Sequence, residues 1–489
     1  MSRTLIRCIR QYSQLQPDRF NALISQGLIE PIEAAESRLQ PLGNLTYACK
    51  DNIVTKNSDT TDTAASHALY NYKSPFEATV VKLLAQAGAT CIGKANLDEF
   101  GMGSANRNSY FGPVRNPFAP GTVPGGSSGG SGAAVAIPKD DGDVSGGGGG
   151  GGSGSAICDF ALGTDTGGSV RLPGAYCNVF GFKPTYGRVS RWGVIAYAQT
   201  LDTVGVLARD VNTVRKVFDV LDLHDAKDPT SLPDDVRHTI EMEMETTTQR
   251  GKREKLVIGV PLQFIIKGLT PQVRQVWEDV LNRFVEMGHE IKTVSIASIC
   301  KSLPAYYTLA TSEAASNLAR FDGTRYGYTA RTPNANDHPM ELIFENRTKS
   351  LGDEVQKRII LGNYTLSSDS AAYYMKANQV REKLTRELSS FFRNEHPLLK
   401  DGDSKQSDEK LCDLLIAPTA MSAPPTVEEY ESSDKENILS GYINDVFTVP
   451  ASLAGLPTIS VPFNGVGIQL MGQFGDDRFV LDAAEMIKN

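Results

Sequence analysis

The sequence predicts an α/β fold in which helices cover a β-sheet, because strand-like and helix-like segments alternate along the chain. Residues 79–94 join an amphipathic helical pattern to a glycine stop and a short apolar strand. Residues 255–297 repeat this order, with the β-rich run KLVIGV, a helix that begins at Thr270 and Pro271, and the strand EIKTVSI. Two later apolar runs, at 411–419 and 456–463, are typical of buried strands.

The bulk composition is that of an ordinary globular protein, with 489 residues, 40% hydrophobic and 22% charged. A protein that binds nucleic acid directly usually carries an excess of basic residues. This chain has a net charge of −8, which argues against direct binding. Any RNA-linked role would therefore need a partner. The seven cysteines include no CxxC pair, which indicates reduced thiols and argues against a zinc site. No apolar run is long enough to predict a membrane span.

The N-terminal segment, residues 1–17, is rich in arginine and contains no acidic residue. Arg3, Arg7 and Arg10 share one face of a helix, with apolar residues away from it. This pattern is typical of an organelle transit peptide, and an ordinary basic first helix is the alternative.

Three segments have the composition of solvated insertions. The segment at 137–154 contains a run of consecutive glycines, while those at 241–255 and 400–410 are rich in charge. The first has no means of burying surface, and the other two are expected to be solvated.

Two clusters of glycine and serine, at 123–136 and 164–174, carry the chemistry of the chain. Neither has the Gly-Lys-Ser/Thr sequence that a nucleotide-binding P-loop needs. The first formally fits GxSxG, but a nucleophile elbow follows an apolar strand, and here a proline-rich segment precedes it.

A serine nucleophile in these clusters would need a general base, and histidine is a poor candidate. None of the six histidines lies in either cluster, and most of them have polar neighbours. A lysine can act as the base if burial keeps it neutral. Lys50, at the end of the apolar run LTYACK, is the candidate for a nucleophile at Ser169. A lysine in such a place is, taken alone, more often solvated.

The motifs at 50–52, 125–131 and 163–173, in this order, resemble the amidase signature family, and the resemblance continues through 181–194. It implies a large mixed β-sheet with helices on both faces, and one amidase domain over residues 18–489. Within the family the chain is most similar to the glutaminase subunits of tRNA-dependent amidotransferases. The segments that carry this closer similarity are 97–117, 313–328 and 357–368.

The resemblance implies a relay of three side chains. Ser169 would be the nucleophile that forms the acyl-enzyme, and Ser127 the bridging serine, preceded by a cis peptide bond. Neutral Lys50 would take a proton from Ser127 while Ser127 takes one from Ser169, so that lysine replaces the histidine of other hydrolases.

The residues around Ser169 would stabilise the reaction's negative charge. By the same resemblance, the backbone N–H groups of Thr166, Gly167 and Gly168 form an oxyanion hole with that of Ser169. We expect the glycines to adopt backbone angles that larger residues could not. Asp165 and Arg171 are expected to brace this loop without taking part in catalysis.

The substrate implied by the resemblance is free glutamine. Arg358 and Asp445 match the positions that pair with its α-carboxylate and α-ammonium groups, and Tyr307 is a further candidate for the same pocket. Ammonia released from glutamine would convert Glu-tRNA(Gln) into Gln-tRNA(Gln).

The partners implied are a tRNA-binding B subunit, which uses ATP and Mg²⁺, and a small accessory protein. This chain would hold no cofactor or metal and would meet tRNA only through the complex, in the mitochondrial matrix. The region before Lys50 is shorter than in bacterial relatives, so a partner could supply what is missing there.

The chain departs from the family in the long glycine-rich segment between Ser127 and Ser169. Doubling a loop costs only about 0.6 kcal/mol, so we expect a disordered excursion that leaves the site intact. A free-standing amidase acting on another small amide and a catalytically inactive scaffold are the alternative functions. The pair Arg358 and Asp445 argues against the first, and retention of the whole relay argues against the second.

Overall fold

The computed structural model describes nine stretches of the chain. These are residues 18–29, 40–56, 60–139, 155–248, 255–331, 338–367, 372–399, 411–436 and 440–487. The predicted targeting segment at 1–17, residues 140–154 of the predicted glycine-rich insertion and the charged segment at 400–410 lie outside the described residues.

One mixed sheet of eleven strands organises the described residues, in the order β1-β3-β2-β4-β6-β5-β10-β11-β9-β7-β8. The strands are β1 Leu23–Ile29, β2 Thr46–Lys50, β3 Thr90–Ala95, β4 Phe160–Asp165, β5 Phe180–Lys183, β6 Thr203–Ala208, β7 Val257–Pro261, β8 Glu290–Val294, β9 Leu414–Pro418, β10 Thr458–Phe463 and β11 Val466–Met471. Strands β3, β2 and β4 run parallel, as do β9, β7 and β8, and antiparallel pairs join these two groups.

Fourteen α-helices accompany the sheet in the described part of the chain. They are α1 Thr79–Gln86, α2 Gly129–Val135, α3 Arg171–Tyr176, α4 Val211–Leu221, α5 Asp234–Thr248, α6 Pro271–Glu286, α7 Ser302–Asn317, α8 Pro339–Ser350, α9 Asp353–Leu366, α10 Tyr373–Ser389, α11 Val427–Glu436, α12 Ser440–Ile443, α13 Val449–Leu453 and α14 Asp477–Met486. Within these stretches, none has the length and apolar character needed to cross a bilayer.

Helices lie on both faces of the sheet, as two contacts near its centre show. Phe182 of β5 packs edge-on against Phe218 of α4, with ring centroids 5.3 Å apart. On the opposite face, a Cβ at Gly467 of β11 would overlap Ala175 of α3, so glycine lets α3 lie directly on the sheet. The predicted α/β class is confirmed.

The alternation of elements follows the sequence pattern closely. Helix α1 and strand β3 occupy 79–95, and β7, α6 and β8 follow one another over 257–294. Gly288 adopts φ +88°, a left-handed conformation that ends α6 and favours glycine. The part of the expected insertion at 241–248 belongs to α5, where residues 241–243 are exposed as expected for a solvated segment, and residues 249–254 lie outside the described residues.

The sheet brings Lys50 and the TDTGGS loop together at the carboxyl ends of two neighbouring strands. Strands β2 and β4 are parallel neighbours, with Cys49 opposite Leu162. Their carboxyl ends therefore meet, which sets Lys50 beside the start of the TDTGGS loop. Helix α2, which follows Ser127, packs against β4 from one side.

Candidate active site

Lys50 is fully buried at the end of β2, and its amino group is surrounded by hydroxyl and carbonyl oxygens. The Nζ atom lies 2.8 Å from Ser127 Oγ and 2.7 Å from Ser128 Oγ. It also lies 2.9 Å from Oγ1 and 3.3 Å from the carbonyl oxygen of Thr164. No carboxylate from the described stretches is among these contacts, so within them the lysine has no ion-pair partner at hydrogen-bond distance.

This burial lowers the pKa of Lys50 from its ordinary value to about 7, because a charged ammonium group loses its hydration there. The carboxylates of Asp98, Asp165 and Asp202 raise the pKa from a greater distance, but burial outweighs them. A lysine with this pKa is available in its neutral form near physiological pH. It can therefore accept a proton, as a general base must.

Ser127 contacts Lys50 and lies next to a residue that lines the cavity described below. The Gly126–Ser127 peptide bond is cis, as the resemblance implied. A Cβ at Gly101, which lines the cavity, would lie 3.6 Å from Ser127 Oγ. Ser127 is 1% exposed, so its hydroxyl can exchange protons with Lys50 away from bulk water.

Ser169 lies at the end of the TDTGGS loop and lines the cavity. Its carbonyl oxygen accepts the N–H of Ser128 at 3.1 Å, which joins the two Gly/Ser motifs directly. Among the described residues, its hydroxyl makes no hydrogen bond, and the N–H groups of Thr166, Gly167 and Gly168 have no acceptor. Unpaired amides next to a serine hydroxyl are suited to hold an oxyanion.

The two glycines before Ser169 are required for different reasons. Gly168 has φ +154°, and a Cβ there would overlap the side chain of Thr448. Gly167 has no such unusual φ, so the expectation that it needs a special backbone angle is wrong. A Cβ at Gly167 would instead come within 2.5 Å of the Tyr306 hydroxyl, and glycine is needed for space.

Asp165 and Arg171 form a fully buried ion pair, with Arg171 Nη2 2.8 Å from Asp165 Oδ1. Burial alone would raise the pKa of Asp165, but the guanidinium group holds it below the ordinary value. Arg171 also donates to the Thr448 carbonyl at 2.8 Å and to Ser452 at 2.7 Å. The pair thus ties the Ser169 loop to the segment that begins α13, as a brace would.

The cavity beside Ser169 has a volume of about 280 Å³ and contains all three predicted substrate residues. Tyr307 of α7 donates a 2.6 Å hydrogen bond to Asp445 Oδ2. Arg358 of α9 pairs with Glu354 at 2.6 Å and lies over the ring of Tyr442, 5.2 Å from its centroid. A cation and a carboxylate therefore face the same space as the Ser169 hydroxyl.

Arg358 and Asp445 could each pair with a charged group of a bound ligand. The Nε of Arg358 is buried and has no hydrogen-bond partner within the described residues. Burial raises the pKa of Asp445 to about 7, and a bound ammonium group would lower it again. An amino acid could supply both the carboxylate for Arg358 and the ammonium for Asp445.

Several residues of the site were not predicted from the sequence. Ser128 and Thr164 hold the Lys50 amino group, and their place inside the two Gly/Ser motifs was the available signal. Tyr306 and Tyr442 form cavity walls, but nothing in their local sequence distinguishes them from core tyrosines. No described histidine lines the cavity, and no group of described His, Cys, Asp or Glu side chains is arranged to hold a metal ion.

Comparison with known proteins gives consistent matches over the whole chain. The amidase family model matches residues 7–139 and 138–481. The A subunit of the mitochondrial glutamyl-tRNA(Gln) amidotransferase of Candida albicans is 54% identical over 470 residues, 96% of each chain. The protein of the same name from Eremothecium gossypii is 46% identical over 491 residues, 99% of this chain and 98% of that one.

A solved structure matches at the level of the fold and of the sequence. The crystal structure of the corresponding glutamyl-tRNA(Gln) amidotransferase A subunit from Thermotoga maritima is 31% identical to this chain, with a TM-score of 0.70. The match covers 99% of this chain and 90% of that one.

Proposed function

The chain belongs to the amidase family, and we propose that it is the glutamine-hydrolysing subunit of a mitochondrial glutamyl-tRNA(Gln) amidotransferase. The observation that carries the proposal is the buried, hydrogen-bonded pair of Lys50 and Ser127 beside a cavity that holds Ser169, Arg358 and Asp445. The site thus combines a general base, a nucleophile and two charged groups that can bind an amino acid.

Glutamine would bind with its α-carboxylate on Arg358 and its α-ammonium on Asp445. The place of Arg358 in the cavity lining supports the first contact, and the Tyr307 hydroxyl fixes the carboxylate for the second. Binding at these two groups would direct the side-chain amide of glutamine toward Ser169. Holding the amide in this orientation would accelerate its reaction with the serine.

The reaction would proceed by transfer of two protons. Neutral Lys50 takes the proton of Ser127, Ser127 takes that of Ser169, and Ser169 Oγ attacks the side-chain amide carbon. The backbone N–H groups of residues 166–169 would form the oxyanion hole. The relay then returns a proton to the leaving nitrogen, so that ammonia departs. Water, activated by the same relay, hydrolyses the acyl-enzyme and releases glutamate.

The complex would divide the overall reaction among its members. The relatives are named as one subunit of an amidotransferase, so this chain works within a multi-subunit assembly. We assign ATP, Mg²⁺ and tRNA binding to a B subunit, and expect a small accessory protein. A net charge of −8 supports the division, since it disfavours direct binding of tRNA by this chain.

Mitochondrial location follows from the names of the relatives. We propose the matrix as the compartment, because the substrate tRNA is used there in protein synthesis. Residues 1–17 are proposed as the targeting segment on their composition alone.

The proposal is tested by measuring ammonia release by the purified complex with tRNA, ATP and Mg²⁺ present. Glutamine is compared with a matched substrate in which the α-ammonium is acetylated and the α-carboxylate is amidated. We expect glutamine alone to be hydrolysed at a useful rate, because only it offers charges to Arg358 and Asp445. Equal rates with both substrates would instead indicate an amidase that acts on other small amides.

A further inference from the structure

A buried carboxylate outside the relay connects the two halves of the active site. Glu99 is 6% exposed and begins a short 3-10 turn, Glu99–Gly101, that lies against Ser127. The backbone N–H of Asp98, just before the turn, donates to the Ser127 carbonyl at 3.1 Å. Gly101, at the end of the turn, lines the cavity and faces Ser127 Oγ. The position of this turn is therefore fixed with respect to the relay.

The side chain of Glu99 points away from the relay, to two other elements. Its Oε1 accepts the hydroxyl of Ser66, whose Oγ in turn accepts the N–H of Ala68 in the 3-10 helix His67–Leu69. Its Oε2 accepts the backbone N–H of Gly352 at 2.8 Å, across 253 positions of sequence. Both carboxylate oxygens are thus used, and neither forms an ion pair with a described residue.

Gly352 is the N-cap of helix α9, immediately before its first residue, Asp353. An N–H group at the start of a helix has no partner within the helix and carries a partial positive charge. Glu99 supplies the missing acceptor from a different part of the fold. The first two turns of the same helix contain Glu354, which lines the cavity, and Arg358, which faces the substrate space.

We propose that Glu99 is a positioning residue, which sets helix α9, and thereby Arg358, at the correct distance from the Ser127–Ser169 relay. This inference rests on the proposed function, since it assigns Arg358 to the glutamine carboxylate. Glu99 touches neither substrate nor the reacting atoms. Its contribution is to glutamine recognition, because a shift of the helix by a fraction of an ångström moves the guanidinium group by a similar amount.

Two features argue that the contact acts through geometry. Gly352 has φ −71° and ψ 164°, a conformation open to any residue, so glycine is not required there by the backbone. A Cβ at Gly352 would nevertheless overlap Glu99 Oε2. Glycine at this position therefore allows the carboxylate to approach the start of the helix closely.

The test uses steady-state kinetics of the complex with glutamine and, separately, with ammonium chloride as nitrogen donor. Glu99→Ala removes both contacts, and Gly352→Ala displaces the carboxylate without changing it. We expect each variant to raise the KM for glutamine at least about tenfold, with kcat at saturation changed much less and ammonia-supported transamidation unchanged. Glu99→Gln should retain a KM within about threefold, since its amide oxygen can accept from Gly352 and its amide nitrogen can donate to Ser66.

The control is Glu341→Ala, an exposed glutamate in the first turn of α8, which should leave all three values unchanged. Thermal unfolding of each variant complex identifies any loss of fold. An unaltered glutamine KM in Glu99→Ala and Gly352→Ala would overturn the inference, as would an equal loss with both nitrogen donors. Failure of the wild-type complex to use glutamine would instead count against the proposed function.

Discussion

The amino group of Lys50 is joined to the hydroxyl of Ser127 by a 2.8 Å hydrogen bond at a point where Lys50 has no exposed surface. Other hydroxyl groups and a carbonyl complete its surroundings, and no carboxylate in the described part of the chain compensates its charge at hydrogen-bond distance. Burial lowers the pKa of Lys50 to about 7 for this reason. The hydrogen bond and the lowered pKa together make Lys50 a base that takes its proton from Ser127.

The pH dependence of acylation follows from this pKa. The protonated lysine cannot accept a proton, so the rate at saturating glutamine should fall about tenfold per pH unit below pH 7. Above that value the neutral form predominates and the rate should reach a plateau. The measurement that checks this profile is single-turnover acylation in the complex from about pH 5.5 to about pH 9, and a rate independent of pH over this range would contradict it. Saturating glutamine is needed because Asp445, with a pKa of about 7, also titrates in the free site.

Two substitutions separate base function from charge at Lys50. Lys50→Met should lower acylation by orders of magnitude, since Ser127 loses its proton acceptor. Lys50→Arg should fail nearly as badly, because guanidinium stays protonated throughout this pH range. Acylation by Lys50→Arg within tenfold of wild type would show that the lysine acts only through its charge.

Arg358→Lys should weaken glutamine binding while leaving the chemistry largely intact. Lysine keeps the positive charge but cannot reproduce the planar donors of Arg358, one of which is buried with no partner among the described residues. We expect the KM for glutamine to rise about tenfold to a hundredfold, with ammonia-supported transamidation unchanged. Arg386→Lys, on an exposed part of α10, is the matched control. An unchanged KM would place the glutamine carboxylate elsewhere.

Arg171→Met should destabilise the fold, because it leaves the buried carboxylate of Asp165 without its partner. Breaking a buried pair typically costs about 3–5 kcal/mol. The matched control is Arg215→Met, which breaks a more exposed pair with Asp482 and should cost less than about 1 kcal/mol. Urea unfolding gives both values. Similar losses in the two variants would remove the bracing role from Arg171.

Deleting residues 140–152 should leave both activity and stability nearly unchanged. The chain on either side is held together without this segment, since the Ala134 carbonyl accepts the N–H groups of Ile157 and Cys158 at 2.9 and 3.1 Å. Glutamine-dependent activity should stay within about threefold and the free energy of unfolding within about 1 kcal/mol. Replacing the glycine run at 146–152 by serine, which keeps the length, is the control. A collapse of activity in the deletion variant alone would assign the segment to the site or to an interface with a partner.

Much of the fold could be predicted from the sequence because it is encoded locally, whereas the relay was predicted from the resemblance of three short motifs to a known family. Apolar spacing specified α1, α6 and the strands around them. Lys50, Ser127 and Ser169 stand in short motifs whose order was itself informative. The helices and strands depend on neighbours a few residues away in the chain, whereas the contact between Lys50 and Ser127 spans 77 positions.

The rest depends on tertiary packing, which local patterns do not contain. The hydrogen bond between Tyr307 and Asp445 spans 138 positions, and that between Glu99 and Gly352 spans 253. The reason for glycine at 167 is a tyrosine hydroxyl from α7, not a backbone angle. The apolar periodicity of the sequence does not indicate such contacts, so they can be identified only from the three-dimensional structure.

The measurement that tests the central claim most directly is transamidation by the complex carrying Ser169→Ala, with glutamine and with ammonium chloride as alternative nitrogen donors. Ser169 is assigned to the hydrolysis of glutamine and to no step in which ammonia is transferred to the tRNA. We therefore expect glutamine-dependent formation of Gln-tRNA(Gln) to fall by orders of magnitude, while ammonia-dependent formation stays near the wild-type rate. Equal loss with both donors, or retention of glutamine-dependent activity, would contradict the role of Ser169 as the glutaminase nucleophile.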